Sequence, residues 1–186
     1  MSEVTKARQE NVKPSEVFVP WEGLGAKVSE KDSLETVMKN ADLQWQAKRS
    51  PVLFAAGDVV AQGTSDVIYR SDNNFQLGIV SEKYNIVQPK EVLSFYKDLV
   101  GLEGWKLDVV GQLDGGKRLW ALAKTDVSFF AGNDSEDIID IYLLLTTTFD
   151  GSSSTIGKFI CIRAACGNSL TLAVGKNEGL GKVTVH

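Results

Sequence analysis

The tightest group of polar side chains surrounds a β-prone run and consists of Asp140, Asp150, Ser152 and Ser153. Two carboxylates that converge could bind Mg²⁺ and support phosphoryl transfer. Asp150 followed by glycine is, however, also typical of a plain hairpin turn. We therefore favour a turn unless a third carboxylate converges on the same place, and we assign no catalytic and no metal-binding residue.

Histidine and cysteine chemistry is sparse in this chain. The single histidine, His186, is the last residue. Without an internal histidine there is no Ser-His or Cys-His nucleophile pair and no zinc site with histidine ligands. Cys161 and Cys166 are five residues apart, so in a straight strand they point to opposite faces and make poor disulfide partners. We expect buried free thiols and no cofactor. We favour a protein that is not an enzyme, and the chemistry that remains open to an enzyme is that of carboxylates with a hard metal or of lysine.

Cationic side chains stand in or beside the predicted strands. Arg163 lies in a stretch otherwise made of Ile, Cys and Ala, where an arginine is costly unless it is paired or faces a ligand phosphate. A salt bridge to Asp140 or Asp150 is as consistent with this pattern as a phosphate-binding role. Lys117 and Arg118 follow an Asp-Gly-Gly turn, where exposed charges are the rule.

Two aromatic side chains stand next to the same strands. Tyr84 follows a predicted strand at 77–80, and Trp120 lies in the return strand of a predicted hairpin. Either ring could stack on an unpaired base. Packing in the core is the competing interpretation for both.

The segment from residue 75 to 125 is predicted to form the central unit of the fold, with a strand, a helix and a hairpin. Its strand leads into an amphipathic helix that begins at Pro89 and ends at Gly101, because proline suits the first helical position and glycine the residue after the last turn. Alternating apolar residues on either side of Asp114-Gly115-Gly116 then predict a hairpin. We predict an α+β fold in which antiparallel hairpins pack on this central amphipathic helix.

Shorter elements flank this segment. Asp32 or Ser33 is a candidate start for a short helix. Strand patterns and turn residues predict strands at 51–56, 59–61 and 67–69 with turns at Gly57 and Gly63, then strands at 139–149 and 158–166.

Size and charge bound the class of protein. The chain has 186 residues, of which 43% are hydrophobic and 24% are charged, as in one globular domain. We expect a flexible N-terminal arm at 1–18, a single α+β domain at 19–175 and a tail at 176–186. With no apolar run of membrane-spanning length and no signal peptide, we expect a cytoplasmic protein without a membrane partner. The net charge of −4 argues against broad binding to nucleic acid but leaves room for a local basic groove.

Several stretches together resemble a protein family of unknown function that phages and plasmids carry and that spreads by lateral gene transfer. The matching stretches follow the family's order over most of residues 20 to 175, and they are WEGLG at 21–25, LGIVSEKYNIVQPKEVLSFYKDLV at 77–100, GGKRLWALAK at 115–124, LLLTTTFDGSSS at 143–154 and IRAACGNSLTLA at 162–173. The family usually has histidine where this chain has Glu22 and Phe149, which argues against a histidine-based catalytic role here.

In the order of its elements the family is similar to phage single-strand annealing proteins, and GLEGW, from helix into hairpin, is the clearest local likeness. The resemblance implies a single-stranded DNA binding and annealing protein that acts in homologous recombination as a homo-oligomer, in a ring or a filament. The DNA-binding residues that it implies are Lys117, Arg118, Lys158 and Arg163 on phosphates, with Tyr84 and Trp120 on bases. Fold does not fix function. A metal-dependent enzyme acting on nucleotides or nucleic acid and a non-enzymatic interaction protein of a mobile element are the alternatives.

Overall fold

The computed structural model describes residues 23–130, 138–163 and 182–185. This part of the chain is an α+β fold, made mostly of strands, with two antiparallel sheets and two helices. In chain order the elements are β1 (Ala26–Lys27), α1 (Leu34–Asn40), β2 (Ala47–Ala56), β3 (Val59–Arg70), β4 (Gln76–Ser81), α2 (Pro89–Leu102), β5 (Lys106–Leu113), β6 (Arg118–Phe130), β7 (Ile138–Thr148), β8 (Thr155–Arg163) and β9 (Lys182–Val185). The predicted α+β class with antiparallel hairpins is confirmed, while a central place for the helix stays a prediction.

Six strands form the larger sheet in the order β1-β5-β6-β7-β8-β9, and each neighbouring pair is antiparallel. Strand β6 is fully buried from Leu119 to Ala123. Leu119, Ala121 and Ala123 belong to the larger hydrophobic cluster, whereas Trp120 and Leu122 belong to a second cluster on the opposite face. The predicted alternation is therefore correct, but both faces of β6 are core.

The smaller sheet contains β2, β3 and β4, again antiparallel. We predicted separate strands at 59–61 and 67–69 with a turn at Gly63, and this is wrong because β3 runs unbroken through Gly63. The glycine lies where the pairing with β2 shifts register, between Pro51 and Leu53 of that strand. Glycine tolerates such an irregularity without ending the strand.

Both helices begin with a local cap. The hydroxyl of Ser33 accepts a hydrogen bond from the backbone N–H of Thr36 at 3.1 Å, which confirms the predicted N-cap of α1. Helix α2 begins with Pro89 as predicted, and the carboxylate of Glu91 accepts a hydrogen bond at 2.8 Å from the backbone N–H of Gln88. Each cap satisfies an N–H that the helix itself cannot pair.

The end of α2 sets the direction of β5. We predicted that the helix ends at Gly101, but it continues to Leu102, and the residue with a left-handed φ of 75° is Gly104. The backbone N–H of the next residue, Trp105, then donates to the carbonyl of Val100 at 3.0 Å. This closing bond turns the chain back over the helix and places Trp105 beside the last turn of α2.

The helices and both sheets share one core. Helix α2 packs against α1, β5 and β6 and buries Leu93 and Tyr96 completely. The two sheets meet where the turn after β7 lies on β4, since a Cβ on Gly78 would fall 2.7 Å from the Cα of Asp150. Only glycine fits this contact between the sheets.

Some predicted segments lie partly or wholly outside the described residues, among them the arm at 1–18 and Cys166. Within the predicted tail, β9 pairs with β8. The prediction of a buried thiol at Cys161 is wrong because its residue is exposed on β8, beyond the strands that α2 covers. Neither helix in the described ranges has the length and apolarity needed to cross a lipid bilayer.

Candidate nucleic-acid interface

The predicted phosphate-binding cations do not meet in one exposed trough among the described side chains. Lys117 and Arg118 are half-buried at the start of β6, and Lys158 in β8 is only 8% exposed. Arg118 lies opposite Thr148 of β7 and Lys158 opposite Leu144 of the same strand. This register separates the two positions by about 13 Å along the strands and about 10 Å across them.

Arg163 is the last residue of β8, and its backbone lies opposite Ile139 of β7. Its side chain lies outside the described part of the structure. A phosphate contact or a salt bridge at Arg163 therefore stays a prediction. Asp140, one of its two predicted partners, forms an ion pair with Lys124 at 2.7 Å.

The two predicted stacking residues differ in exposure. Trp120 has no exposed surface and packs in the second hydrophobic cluster, so the prediction that it stacks on bases is wrong. Tyr84 is half-buried in the loop after β4, beside the turn that contains Asp150 and Gly151. Its burial and the nearby carboxylate of Asp150 both raise the pKa of Tyr84. Stacking on Tyr84 stays a prediction.

The carboxylates proposed for a metal site are far apart. Asp140 lies near the start of β7 and Asp150 follows its end, a separation of about 30 Å in an extended strand. Burial alone would raise the pKa of Asp150, but hydrogen bonds from Ser152 and Thr148 outweigh it and the pKa is lowered. Among the described residues no three side chains of the metal-binding types converge. The turn interpretation of Asp150-Gly151 is confirmed.

A charged network, which the sequence patterns did not reveal, surrounds the buried side chain of Arg70 at the end of β3. Its guanidinium donates to both carboxylate oxygens of Asp72 at 3.0 and 2.6 Å and to Asp42 at 3.1 Å. It also donates to the side-chain oxygen of Gln112 at 3.3 Å and to the carbonyl of Gly115 at 3.1 Å. These bonds tie the end of β3 to the loop after α1 and to the hairpin turn between β5 and β6.

The same guanidinium lies over the ring of Trp45, 4.9 Å from its centroid. Burial opposes the charge of Arg70, but the hydrogen bonds that it donates to Asp72 and Asp42 outweigh this effect, so the pKa of Arg70 is raised. A buried cation whose donors are engaged in this way has nothing left to offer a ligand. We therefore assign the network to stability of the fold.

A groove with more accessible groups runs past Trp105. It consists of two adjoining clefts of about 370 and 440 Å³, and we call it the Trp105 groove. The clefts share six residues, which are Val28, Glu30, Gly104, Trp105, Lys106 and Leu107. The first cleft extends to Lys97 on α2, and the second extends to Lys124 on β6.

The tryptophan at the middle of the groove is held by polar and aromatic contacts. The indole N–H of Trp105 donates to the carboxylate of Asp126 at 3.3 Å, and its ring meets Phe159 edge-on at a centroid distance of 5.9 Å. The side chain is half-buried, so part of the ring borders the groove. A ring fixed in this way could stack on a planar ligand with little loss of conformational freedom.

Three lysines and four carboxylates line the groove, namely Lys97, Lys106 and Lys124 with Glu30, Asp32, Asp108 and Asp126. Lys106 pairs with Glu30 at 2.5 Å, and this pairing lowers the pKa of Glu30 through its hydrogen bond and the nearby positive charge. Lys97 is exposed and forms no ion pair with any described residue. Exposed ion pairs of this kind are worth about 0–1 kcal/mol each, so a stronger anion can replace the carboxylate.

Sequence reasoning missed this groove because its walls come from three separated stretches, 28–37, 93–108 and 124–126. One available signal was the step GLEGW, in which a tryptophan follows the glycine that ends a helix. A lysine directly after that tryptophan, Lys106, was a second sign. The partner Glu30 could not be inferred, since it lies 76 residues earlier in the chain.

The comparisons with known proteins identify a family for the larger part of the chain. The family model described as Domain of unknown function (DUF932) matches residues 76–186, which include Trp105, Lys106 and Lys124 but not Glu30. Neither the curated proteins nor the solved structures contain a match. Since the match covers more than half of its residues, the chain belongs to the family Domain of unknown function (DUF932).

Proposed function

We propose that this protein binds single-stranded DNA in the Trp105 groove and promotes annealing as a homo-oligomer. The resemblance of its motifs to a phage- and plasmid-borne family, and of their order to single-strand annealing proteins, supports a phage or plasmid origin and a role in homologous recombination. The groove replaces the surface implied by Lys117, Arg118, Lys158 and Trp120. It is the described surface on which an accessible aromatic ring and several cations lie together.

The observation that carries the proposal is the position of Trp105 between cationic side chains. Lys97 borders one cleft, Lys124 borders the other, and Lys106 borders both. Proteins that bind single strands without reading sequence combine a positively charged path for the backbone with aromatic rings for the bases. In this arrangement the ammonium groups bind phosphates and the indole stacks on one base.

The carboxylates of the groove set the strength of binding. A phosphate that reaches Lys106 or Lys124 must displace Glu30 or Asp140, respectively. Each displacement costs at most about 1 kcal/mol because these ion pairs are exposed. We therefore expect modest affinity and a strong dependence on salt, as befits a protein that must let its strand pair with a complement.

A second role, as a protein-interaction module, is favoured by one specific observation. The outer end of the β2–β3 hairpin exposes several large apolar side chains. An exposed apolar patch of this kind commonly marks a protein-binding surface. The metal-dependent enzyme has no comparable support, since its two carboxylates are far apart.

The proposal is tested by titrating a fluorescently labelled oligo-dT with the full chain at two salt concentrations. We expect Trp105→Ala to weaken binding fivefold or more, because one base stacked on an aromatic ring contributes about 1–3 kcal/mol. Trp105→Phe should restore most of the affinity, since it keeps an aromatic face. The matched control is Phe75→Ala, which removes an exposed ring beside Gly115, away from the groove.

Three outcomes would contradict the proposal. The first is a wild-type chain that does not bind the oligonucleotide at low salt. The second is equal affinity of Trp105→Ala and Phe75→Ala. The third is cleavage of the oligonucleotide after Mg²⁺ is added, which would favour an enzyme.

A further inference from the structure

The hairpin of β2 and β3 extends beyond the sheet to which it belongs. Strand β4 pairs with β3 only from Ser65 to Tyr69, so residues 52–56 and 59–63 form a two-stranded arm without a third strand. Leu53, Phe54, Val59 and Val60 in this arm are 51 to 68% exposed, and Asp58 is its only charged residue. We call residues 52–63 the apolar arm.

Strand β2 also presents an unpaired edge. Among the described residues its only partner is β3. Ala56 and Val59 flank a two-residue turn and form the first bridge, so they exchange hydrogen bonds with each other. Because the pattern alternates along the strand, the backbone N–H and C=O of Leu53 and Ala55 point away from β3. This edge is a template for another strand at Leu53 and Ala55, whereas Pro51, the preceding residue of the outward-facing series, has no N–H to donate.

We propose that this edge joins two copies of the chain, with β2 pairing antiparallel to β2 of the second copy. The inference rests on the homo-oligomer of the proposed function and names its contact surface. An antiparallel pair of identical strands is closed by a two-fold axis, so the β2 edges of both copies are covered at once. This closure also protects the arm from open-ended aggregation.

One positive and one negative side chain in or beside the arm favour a second copy of the chain as the partner, because each can pair with its counterpart on the other copy. Lys48 and Asp58 are each five residues from Leu53 along the chain. A two-fold axis at Leu53 therefore brings Lys48 of one copy beside the hairpin turn of the other, which carries Asp58. Both side chains are exposed, and neither forms an ion pair within the described residues.

The same register matches the apolar residues. Leu53 meets Leu53 of the second copy at the axis, and Val52 lies opposite Phe54 on one face. In this register Pro51 lies opposite Ala55 of the second copy and has no N–H, so each copy lacks one ladder bond and the pairing rests on the N–H groups of Leu53 and Ala55. Between the bridges of Pro51 and Leu53 the additional residues lie in β3. The irregularity in the hairpin therefore leaves the outer edge of β2 intact.

The test is the molar mass of the full chain, measured without DNA by light scattering during size exclusion. We expect at least twice the chain mass of 20.3 kDa for the wild type. Leu53→Asp should weaken self-association at least tenfold, whereas the matched control Leu102→Asp, at the end of α2, should keep the wild-type mass. A monomeric wild type, or equal masses for the two variants, would overturn the proposal.

A charge swap tests the register on residues that the fold does not need. We expect Lys48→Glu and Asp58→Lys each to reduce the mass at a given concentration, because like charges then face each other. The double variant should restore the wild-type mass. If the single changes have no effect, or the double variant fails to recover, the two-fold axis at Leu53 is wrong.

The two proposals fail separately. A dimeric wild type that binds no oligo-dT would remove the DNA-binding function and leave the arm as an interface. A monomeric wild type that binds oligo-dT through Trp105 would keep the DNA-binding function and exclude the arm as an interface.

Discussion

Two regions of this molecule combine a tryptophan with cations and carboxylates, and they differ in how far water reaches them. The guanidinium of Arg70 is 4% exposed, lies over Trp45 and is engaged by four hydrogen-bonding partners. Lys106 and Lys124 in the Trp105 groove are 64% and 51% exposed and each pairs with one carboxylate. The same residue types therefore stabilise the fold around Arg70, whereas in the Trp105 groove a ligand can replace the carboxylates that pair with the lysines.

The largest expected effect concerns the network around Arg70. Arg70→Met should lower the free energy of unfolding by about 1.5–3 kcal/mol, because it removes the charge-assisted hydrogen bonds of a side chain that is only 4% exposed, while water solvates the carboxylates left behind. Lys106→Met, which breaks an exposed ion pair, should cost less than about 1 kcal/mol. Urea denaturation of both variants measures the difference. Equal losses would remove the distinction between the two regions.

The pH dependence of stability should separate the regions more finely. The hydrogen bond from Arg70 lowers the pKa of Asp72 below its ordinary value of 3.8. A lowered pKa in the folded state gives stability that is present above the unfolded pKa and is lost as pH falls through the folded pKa. We therefore expect the wild type to lose stability below about pH 4, and Arg70→Met to lose less over that range. Identical pH profiles in urea denaturation would contradict this.

Much of the fold could be predicted from local signals. Pro89, the Ser33 cap and the Asp-Gly-Gly turn each determine a boundary through bonds made within a few residues. The strand at 139–149 was recognisable by its β-branched and aliphatic residues alone, and it lies at the middle of the larger sheet. These features need no knowledge of distant contacts.

The predictions were wrong where contacts between residues far apart in the chain determine the burial or the partners of a side chain. Alternation placed Trp120 correctly on one face of β6, but whether that face is solvent or core depends on other strands. No local pattern marks Arg70, because its partners lie as far as 45 residues away. The Trp105 groove could not be predicted for the same reason. The sequence contains its tryptophan and its lysines, but it does not show which carboxylates pair with those lysines, and these ion pairs decide whether a ligand can bind them.

The most direct test of the Trp105 groove compares Glu30→Gln and Trp105→Ala in one oligo-dT titration at low salt. Removing the carboxylate that competes for Lys106 should tighten binding about threefold, as an exposed pair worth up to about 1 kcal/mol allows. Removing the indole should weaken it at least fivefold. Opposite changes in the dissociation constant are the predicted result. Two variants that both bind like the wild type would show that single-stranded DNA does not use this groove.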